Sequence, residues 1–317
     1  MTSQLEVKRE DSAMPVSFGP KAARGMRQWK DRMAALAMAG PTVLCIALVL
    51  AIAVALVWKS LPILATKPIA HLLLASAWRP LKGEFGFFAF IAGTLWVTLL
   101  AMLISVPISL LTAVYIAEYA GRRIRAMAKP TIDLLAGIPP VVYGLWGVLA
   151  VVPVVGALGA RLGANGTGYT VLSGAIVLAI MVFPIMIAVS QEVLRSVPQA
   201  AREASVALGA TKWQTVKHVL LPSVTTGIGA AIVLGFSRAI GETMAVLMVV
   251  GNVAKAPRSV FDPAYPLPAL IANNYGEMMS IRLYDSAIML AALILLVVVL
   301  AFNVLAALVL RRVRRMA

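Results

Sequence analysis

Residues Val171 to Val189 read VLSGAIVLAIMVFPIMIAV, a run of 19 residues without a charged side chain. A helix needs about 20 mostly apolar residues to cross a membrane, because the hydrocarbon core is about 30 Å thick. Five further long and mostly apolar runs occur: Ala34 to Trp58, Phe87 to Tyr115, Ile132 to Val155, Val224 to Val250 and Ser286 to Leu310. Each should be helical, since an open strand in lipid leaves backbone groups unpaired. The sequence therefore predicts an all-α polytopic membrane protein with about six transmembrane helices.

The composition of the chain excludes an ordinary soluble protein. Of its 317 residues, 61% are hydrophobic and 13% are charged, whereas a soluble surface needs roughly 25% charged residues. The 28 Lys and Arg against 13 Asp and Glu give a net charge of +15. In a soluble protein this excess would suggest nucleic-acid binding, but in a membrane protein it marks cytoplasmic loops. We expect membrane lipids, and no nucleic acid, as partners.

The distribution of Lys and Arg predicts the orientation. With a cytoplasmic N-terminus, 19 basic residues fall in inside segments and eight in outside segments, so the positive-inside rule places both termini in the cytoplasm. The basic stretch before Ala34 is typical of a secretory signal, but the apolar run is too long and Trp58-Lys59 is no cleavage site.

The sequence predicts four regions. They are a basic cytoplasmic tail at 1–33, a first transmembrane helix at 34–58, a transmembrane domain at 87–310 that includes a cytoplasmic loop at 192–222, and a basic cytoplasmic C-terminus at 311–317. Within the tail, we expect disorder before about Phe18.

Common catalytic motifs are missing from the sequence. It contains no G-x-x-x-x-G-K-[ST] motif for binding ATP phosphates and no H-E-x-x-H zinc motif. His71 and His218 both fall in predicted loops, so no catalytic base or histidine metal ligand is expected at membrane depth. We expect no catalytic residue, metal site or cofactor in this chain, and any ATP-driven work must use a partner.

The loop that follows the run at Val171 predicts two short helices joined by a turn. Pro198 suits a first helical turn, and the Ala-rich residues after it favour helix. Gly209 suits the left-handed position that ends a helix. Thr211 and Gln214 have the spacing of a capping box, and Pro222 marks the approach to the fifth span. The resulting projection could dock on a cytoplasmic partner, or it could pack on its own bundle.

The fifth apolar run contains an arginine, Arg238, followed four residues later by Glu242. A charge at the centre of a membrane helix costs about 2.5 to 3.5 kcal/mol on insertion scales, so it usually faces the bundle interior and finds a partner. Positions four apart share a helix face, which predicts an ion pair. Small residues continue the same stripe: Gly227, Ala231 and Gly235. The pair could be a buried clasp, or Arg238 could attract an anion while Glu242 orients it.

Two other residues are candidates for lining a pathway. Ser237 precedes the arginine directly, and Tyr143 follows Pro139-Pro140, which must interrupt the helix of the third run. Breaks of this kind line cavities in transporters. A guanidinium fits carboxylate, sulfate and phosphate alike, so the electrostatics indicate an anion without identifying it.

The cytoplasmic loop resembles the E-A-A-x3-G-x9-I-x-L-P signature of ABC importer permeases. The matching residues are Glu203-Ala204-Ser205, Gly209 and Val219-Leu220-Leu221-Pro222, with Ser205 and Val219 departing conservatively. The resemblance implies a type I ABC importer permease fold. It also implies that Glu203, Ala204, Ser205, Gly209 and Pro222 belong to a coupling segment that fits a cleft in the ATP-binding subunit.

A more specific resemblance extends from about Phe85 to the C-terminus. Residues 238–246 (RAIGETMAV), 134–147 (LLAGIPPVVYGLWG), 261–263 (FDP) and 116–120 (IAEYA) are similar to the PstC-type permease subunit of phosphate ABC transporters. The related PstA-type subunit is less similar after Thr243.

The resemblance implies a permease subunit of an ATP-driven phosphate importer in the bacterial inner membrane. The expected partners are a PstA-type permease subunit, two ATP-binding subunits that hold ATP and Mg²⁺, and a soluble extracytoplasmic phosphate-binding protein. Arg238, Glu242, Ser237 and Tyr143 would then belong to the translocation pathway. Two alternatives stay open: a permease for sulfate or molybdate, and an ATP-independent ion-gradient carrier or channel.

Overall fold

The computed structural model describes residues 21–164, 167–277, 281 and 283–316. The disorder expected before Phe18 lies outside the described residues. The chain divides between Val54 and Ala55 into two compact units. In the first unit, residues 21–54 are helical, and most of their described side chains are exposed. This helix, α1 (Lys21–Thr66), begins earlier and ends later than the predicted span at 34–58.

The second unit is a helical bundle with a small ordered segment after α1. That segment contains α2 (Ile69–Leu74), an antiparallel pair of strands, β1 (Trp78–Arg79) and β2 (Glu84–Phe85), and a 3-10 turn at Pro80–Lys82. The Trp78 ring lies 5.0 to 5.6 Å, between ring centroids, from those of Phe85, Phe87 and Phe90. Edge-to-face contacts of this kind stabilise the segment together with the buried side chain of Leu72.

The remaining helices follow in chain order. They are α3 (Phe88–Val114), α4 (Arg122–Gly137), α5 (Pro140–Trp146), α6 (Val152–Arg161), α7 (Val171–Arg195), α8 (Gln199–Ala207), α9 (Lys212–Thr215), α10 (Leu221–Ser223), α11 (Thr225–Ile240), α12 (Met244–Val249), α13 (Leu267–Asn274) and α14 (Tyr284–Met316). Three wider π-helical turns continue α3, α5 and α9: Tyr115–Tyr119, Gly147–Val151 and Val216–Leu220.

Five helical stretches are long and apolar enough to cross a membrane: Arg32–Thr66, Phe88–Tyr119, Pro140–Arg161, Val171–Arg195 and Tyr284–Arg312. A sixth is a pair bent by 73°, Lys212–Ser223 with Thr225–Ile240. The prediction of about six membrane-spanning helices is thus confirmed among the described residues.

The third span is shifted from its predicted position. The sequence predicted it from Ile132 to Val155, with the two prolines inside. In the structure α4 ends at Gly137, and the spanning helix starts at Pro140. Pro139 is extended (φ −60°, ψ 141°), because a residue that precedes a proline avoids the helical region. The apolar residues of the predicted span before this break belong to the end of α4.

The fifth span is interrupted, contrary to the prediction of a continuous helix from Val224 to Val250. Helix α11 ends at Ile240, and α12 starts at Met244. Gly241 favours this ending, because glycine is about 1 kcal/mol worse than alanine inside a helix. Thr243 is the N-terminal cap of α12. Arg238 therefore lies before the break, and Glu242 lies within it.

The core of the second unit lies where α3, α11 and α12 pack on α7. Small residues on α11 permit this approach. A Cβ atom on Gly227 would lie 2.3 Å from Cγ1 of Val193, and one on Gly235 would lie 2.7 Å from Cγ of Met186. Both distances are shorter than any tolerable contact, so the glycines set how closely α11 approaches α7. The predicted packing role of Gly227, Ala231 and Gly235 is confirmed.

Candidate functional site

Arg238 lies two residues before the end of α11, and its side chain is exposed. Three other exposed residues lie on the same face of the helix. Ala230 and Leu234 precede Arg238 at intervals of four residues, and Gly241 follows it after three. The packing stripe continues instead to Ala239, which is buried. Arg238 thus lies beside the small-residue stripe and not on it, contrary to the prediction. It presents a cation on the open face of the helix.

The predicted Arg238–Glu242 ion pair is absent within 4.0 Å in the described part of the chain. The physical reason is the helix break, which removes the one-turn spacing that would have aligned the two side chains. Oε1 of Glu242 accepts a 3.4 Å hydrogen bond from the backbone N–H of Ala245. A carboxylate at this position stabilises the N-terminus of α12. The Glu242 side chain also borders a small gap with Thr98 and Val246.

Ser237 faces a different helix from its neighbour Arg238. Its hydroxyl donates to Oδ1 of Asn303 in α14 at 2.6 Å, and the Val233 carbonyl lies within reach at 2.9 Å. Next to it the Phe236 and Phe302 rings stack at 4.1 Å between centroids. These contacts connect α11 to α14, so the structure places Ser237 in helix packing and not beside the guanidinium on the open face.

Tyr143 is buried in α5, and its hydroxyl donates to the Leu135 carbonyl at 2.8 Å. That hydrogen bond spans the break at Pro139 and fixes α5 to the end of α4. Beside Tyr143 is an apolar cavity of about 330 Å³ whose wall includes Trp146 and Ile180. Tyr143 thus connects the end of α4 to the wall of this cavity.

Residues 198–215, called the knob below, have the predicted conformation. Helices α8 and α9 are joined by an elbow in which Gly209 has φ +83°, and Thr211 and Gln214 form the predicted capping box. Pro198 differs slightly, since it is the N-terminal cap of α8 and not part of its first turn. Glycine is required here because a residue with a Cβ atom is sterically destabilised in a left-handed backbone conformation.

The matched motif residues divide between the two sides of the knob. Glu203, Ala204 and Gly209 are exposed, and Leu208 at the tip is 89% exposed. Ser205 is buried, and its Oγ lies 2.9 Å from Oγ1 of Thr215. This hydrogen bond holds α8 against α9 and accounts for a hydroxyl at that motif position. Pro222 lies apart from the knob in α10, just before the 73° bend.

The sequence did not predict the ion pair that fixes the knob to the bundle. Nη2 of Arg202 lies 3.2 Å from Oε1 of Glu118, and the two side chains are only 17% and 13% exposed. The Arg202 guanidinium also donates to the backbone carbonyls of Leu194 and Val197. One signal was present in the sequence: Glu118 is an acid directly after an apolar run, and Arg202 is the only basic residue of the Ala-rich stretch. Their separation of 84 residues hid the pairing.

Replacing Arg202 by methionine is expected to destabilise the knob. The change leaves Glu118 and two carbonyls without their partner in a mostly buried site, a loss of up to about 3 kcal/mol. Limited proteolysis between Val197 and Trp213 measures it, and cleavage should be faster than in the wild type. The double variant Glu118→Gln/Arg202→Met should recover part of the protection, because no charge is then left unpaired. Unchanged cleavage in Arg202→Met would contradict the anchoring role.

No cluster of three or more His, Cys, Asp or Glu side chains suited to a metal occurs among the residues the structure describes. Arg238 supplies a cation on the open face of α11. A guanidinium binds and orients an oxyanion through its planar set of N–H donors. The arrangement is therefore suited to binding and release.

Comparison with known proteins adds three findings. Residues 105–315 match the family described as "Binding-protein-dependent transport system inner membrane component". The chain is 37% identical over 256 residues to the phosphate transport system permease protein PstC of Xylella fastidiosa (76% of this chain, 78% of the relative), and 36% identical over 257 residues to PstC 1 of Mycobacterium bovis (75% and 76%). In fold it resembles a chain of a bacterial alginate ABC transporter (TM-score 0.63, 18% identity, 90% of this chain and 97% of that chain).

Proposed function

Since the chain belongs to the binding-protein-dependent transport system inner membrane components, we propose that it is the PstC-type permease subunit of an ATP-driven phosphate importer. Relatives named as phosphate permeases, 33 to 37% identical over about three quarters of the chain, support this assignment. The chain is an integral inner-membrane transport component and not itself an enzyme.

The observation that supports an anion pathway along α11 is the exposure of Arg238. A guanidinium that faced lipid at membrane depth would cost several kcal/mol, and no carboxylate in the described part of the chain neutralises it within 4.0 Å. The open face of α11 must therefore meet water or another polar surface in the assembly. We place the pathway for the anion along this face, with a PstA-type subunit forming the opposite wall.

The knob supports coupling to ATP hydrolysis in partner chains. Its tip is apolar and exposed, while Arg202 attaches its base to Glu118 and to the end of α7, so a force on the tip is transmitted to the bundle. We place the knob and both termini in the cytoplasm, where the basic residues of α4, α8 and α9 satisfy the positive-inside rule. In this proposal two ATP-binding subunits hold ATP and Mg²⁺, and a soluble binding protein delivers phosphate from the opposite side.

The cargo is tested by competition for uptake in vesicles that contain the assembled transporter. Unlabelled phosphate should suppress ATP-dependent uptake of ³²P-phosphate at least about tenfold more effectively than sulfate or molybdate. The reason is that phosphate carries an O–H at neutral pH that an acceptor such as the Glu242 carboxylate can bind, and a site built for such a bond rejects analogues that lack it. Stronger competition by sulfate or molybdate would reassign the cargo. Uptake that persists without ATP, driven by an ion gradient, would favour the carrier alternative.

A further inference from the structure

A second cationic site lies at the base of the knob, where a cavity of about 450 Å³ opens between the knob and the ends of α3 and α7. Its walls come from the wide turn after α3, from α4, from the end of α7 and from α8 and α9. Arg238 and Tyr143 are not part of its lining. It is therefore separate from the pathway region described above.

The charges of this cavity are almost all positive. Four basic side chains line it together with one acid, Glu118: Arg125, Arg195, Arg202 and Lys212. Only Arg202 is neutralised, by its ion pair with Glu118. The other three cations have no carboxylate within 4.0 Å among the described residues.

Two of the three remaining cations are nevertheless held in place by contacts with neighbouring groups. Nη2 of Arg125 donates to the Ala117 carbonyl at 2.8 Å, and Nζ of Lys212 lies 5.1 Å from the centre of the Tyr119 ring. Arg195 extends from the last residue of α7. Like charges brought together around one cavity repel each other, so an anion between them is stabilised by all three.

The depth of the cavity indicates where such an anion would come from. The apolar stretches Phe88–Tyr119 and Val171–Arg195 both end at its wall. These ends mark the boundary between hydrocarbon and water, which is the level of lipid headgroups. Both a headgroup phosphate and a dissolved phosphate ion reach this level, and guanidinium groups bind the oxygens of either one in the same bidentate way.

We propose that this cavity binds a phosphate-bearing anion, supplied either by an anionic lipid headgroup or by free phosphate. The anion bridges Lys212 on the knob to Arg125 and Arg195 on the bundle. The bound anion would hold the knob against the helix ends. It would thereby regulate the coupling of the bundle to ATP hydrolysis in the partner chains. The proposal does not depend on which anion the pathway carries.

The test compares two double variants of the full-length chain in lipid nanodiscs. Arg125→Gln/Arg195→Gln removes two cations from the cavity. Arg122→Gln/Arg123→Gln removes the same charge from exposed positions of α4 that do not line it. Both carry Arg238→Ala, so that an anion held in the pathway is not counted. Matching thermal unfolding of the two variants shows that both are folded.

Two arms distinguish the sources. One measures binding of ³²P-phosphate in neutral phosphatidylcholine nanodiscs, and the other measures retention of phosphatidylglycerol by native mass spectrometry. The variant with Arg125→Gln/Arg195→Gln loses two charge-assisted contacts, so its phosphate binding, its phosphatidylglycerol retention or both should fall at least about tenfold. The variant with Arg122→Gln/Arg123→Gln should show no such loss. The arm that responds identifies the anion. Equal binding by both variants in both arms would overturn the proposal.

Discussion

Replacing Arg238 by alanine is expected to lower ATP-dependent phosphate uptake at least about a hundredfold, because a charge-assisted hydrogen bond contributes about 1.5 to 3 kcal/mol and a bidentate guanidinium contact with an oxyanion makes two of them. Arg238→Lys should retain part of the activity, since it keeps the charge but loses the planar fork. Uptake of ³²P-phosphate into vesicles at saturating ATP measures both variants.

The same variants distinguish a pathway residue from a packing clasp. Arg238 is exposed and has no ion partner within 4.0 Å among the described residues, so its removal leaves no buried charge unpaired and should change thermal stability little. A clasp would show the reverse, with a lower melting temperature and a moderate change in uptake. Arg161→Ala is the matched control, since Arg161 is also exposed but lies at the end of α6. Full uptake by Arg238→Ala would exclude Arg238 from the pathway.

The knob was predicted closely because its signals are local. The glycine elbow and the Thr211–Gln214 capping box depend only on residues within a few positions of each other, and local hydrogen bonding decides them. The membrane spans could be counted for a similar reason, since length and apolarity suffice.

The Arg238–Glu242 pair was predicted wrongly because spacing implies a shared face only while the helix continues. Hydrophobicity does not reveal that α11 ends at Ile240, since the residues on both sides of the break are equally apolar. The break depends on Gly241 and on the contact of Glu242 with the start of α12. The Arg202–Glu118 anchor was missed for a different reason, because pairs far apart in sequence are set by tertiary packing.

The other large effect is expected at the tip of the knob, where Leu208→Asp should reduce copurification of the ATP-binding subunit at least about tenfold. A leucine that is 89% exposed gains nothing from its own bundle, whereas an exposed apolar group on a rigid projection is typical of a protein interface. Truncating a central contact of this kind costs about 2 kcal/mol or more, and a buried carboxylate adds a desolvation cost. ATP-dependent uptake should fall in parallel.

The control for this variant is Leu81→Asp, which introduces the same charge at a position 87% exposed in the 3-10 turn between β1 and β2. Gly209→Val gives an independent test, because it adds no charge to the tip but forces a β-branched residue into φ +83°, a strain of about 1 to 2 kcal/mol. If the knob engages the partner, both Leu208→Asp and Gly209→Val lose the subunit while Leu81→Asp retains it. If the knob only packs on its own bundle, Leu208→Asp copurifies the subunit as well as Leu81→Asp does, and coupling must then pass through another surface.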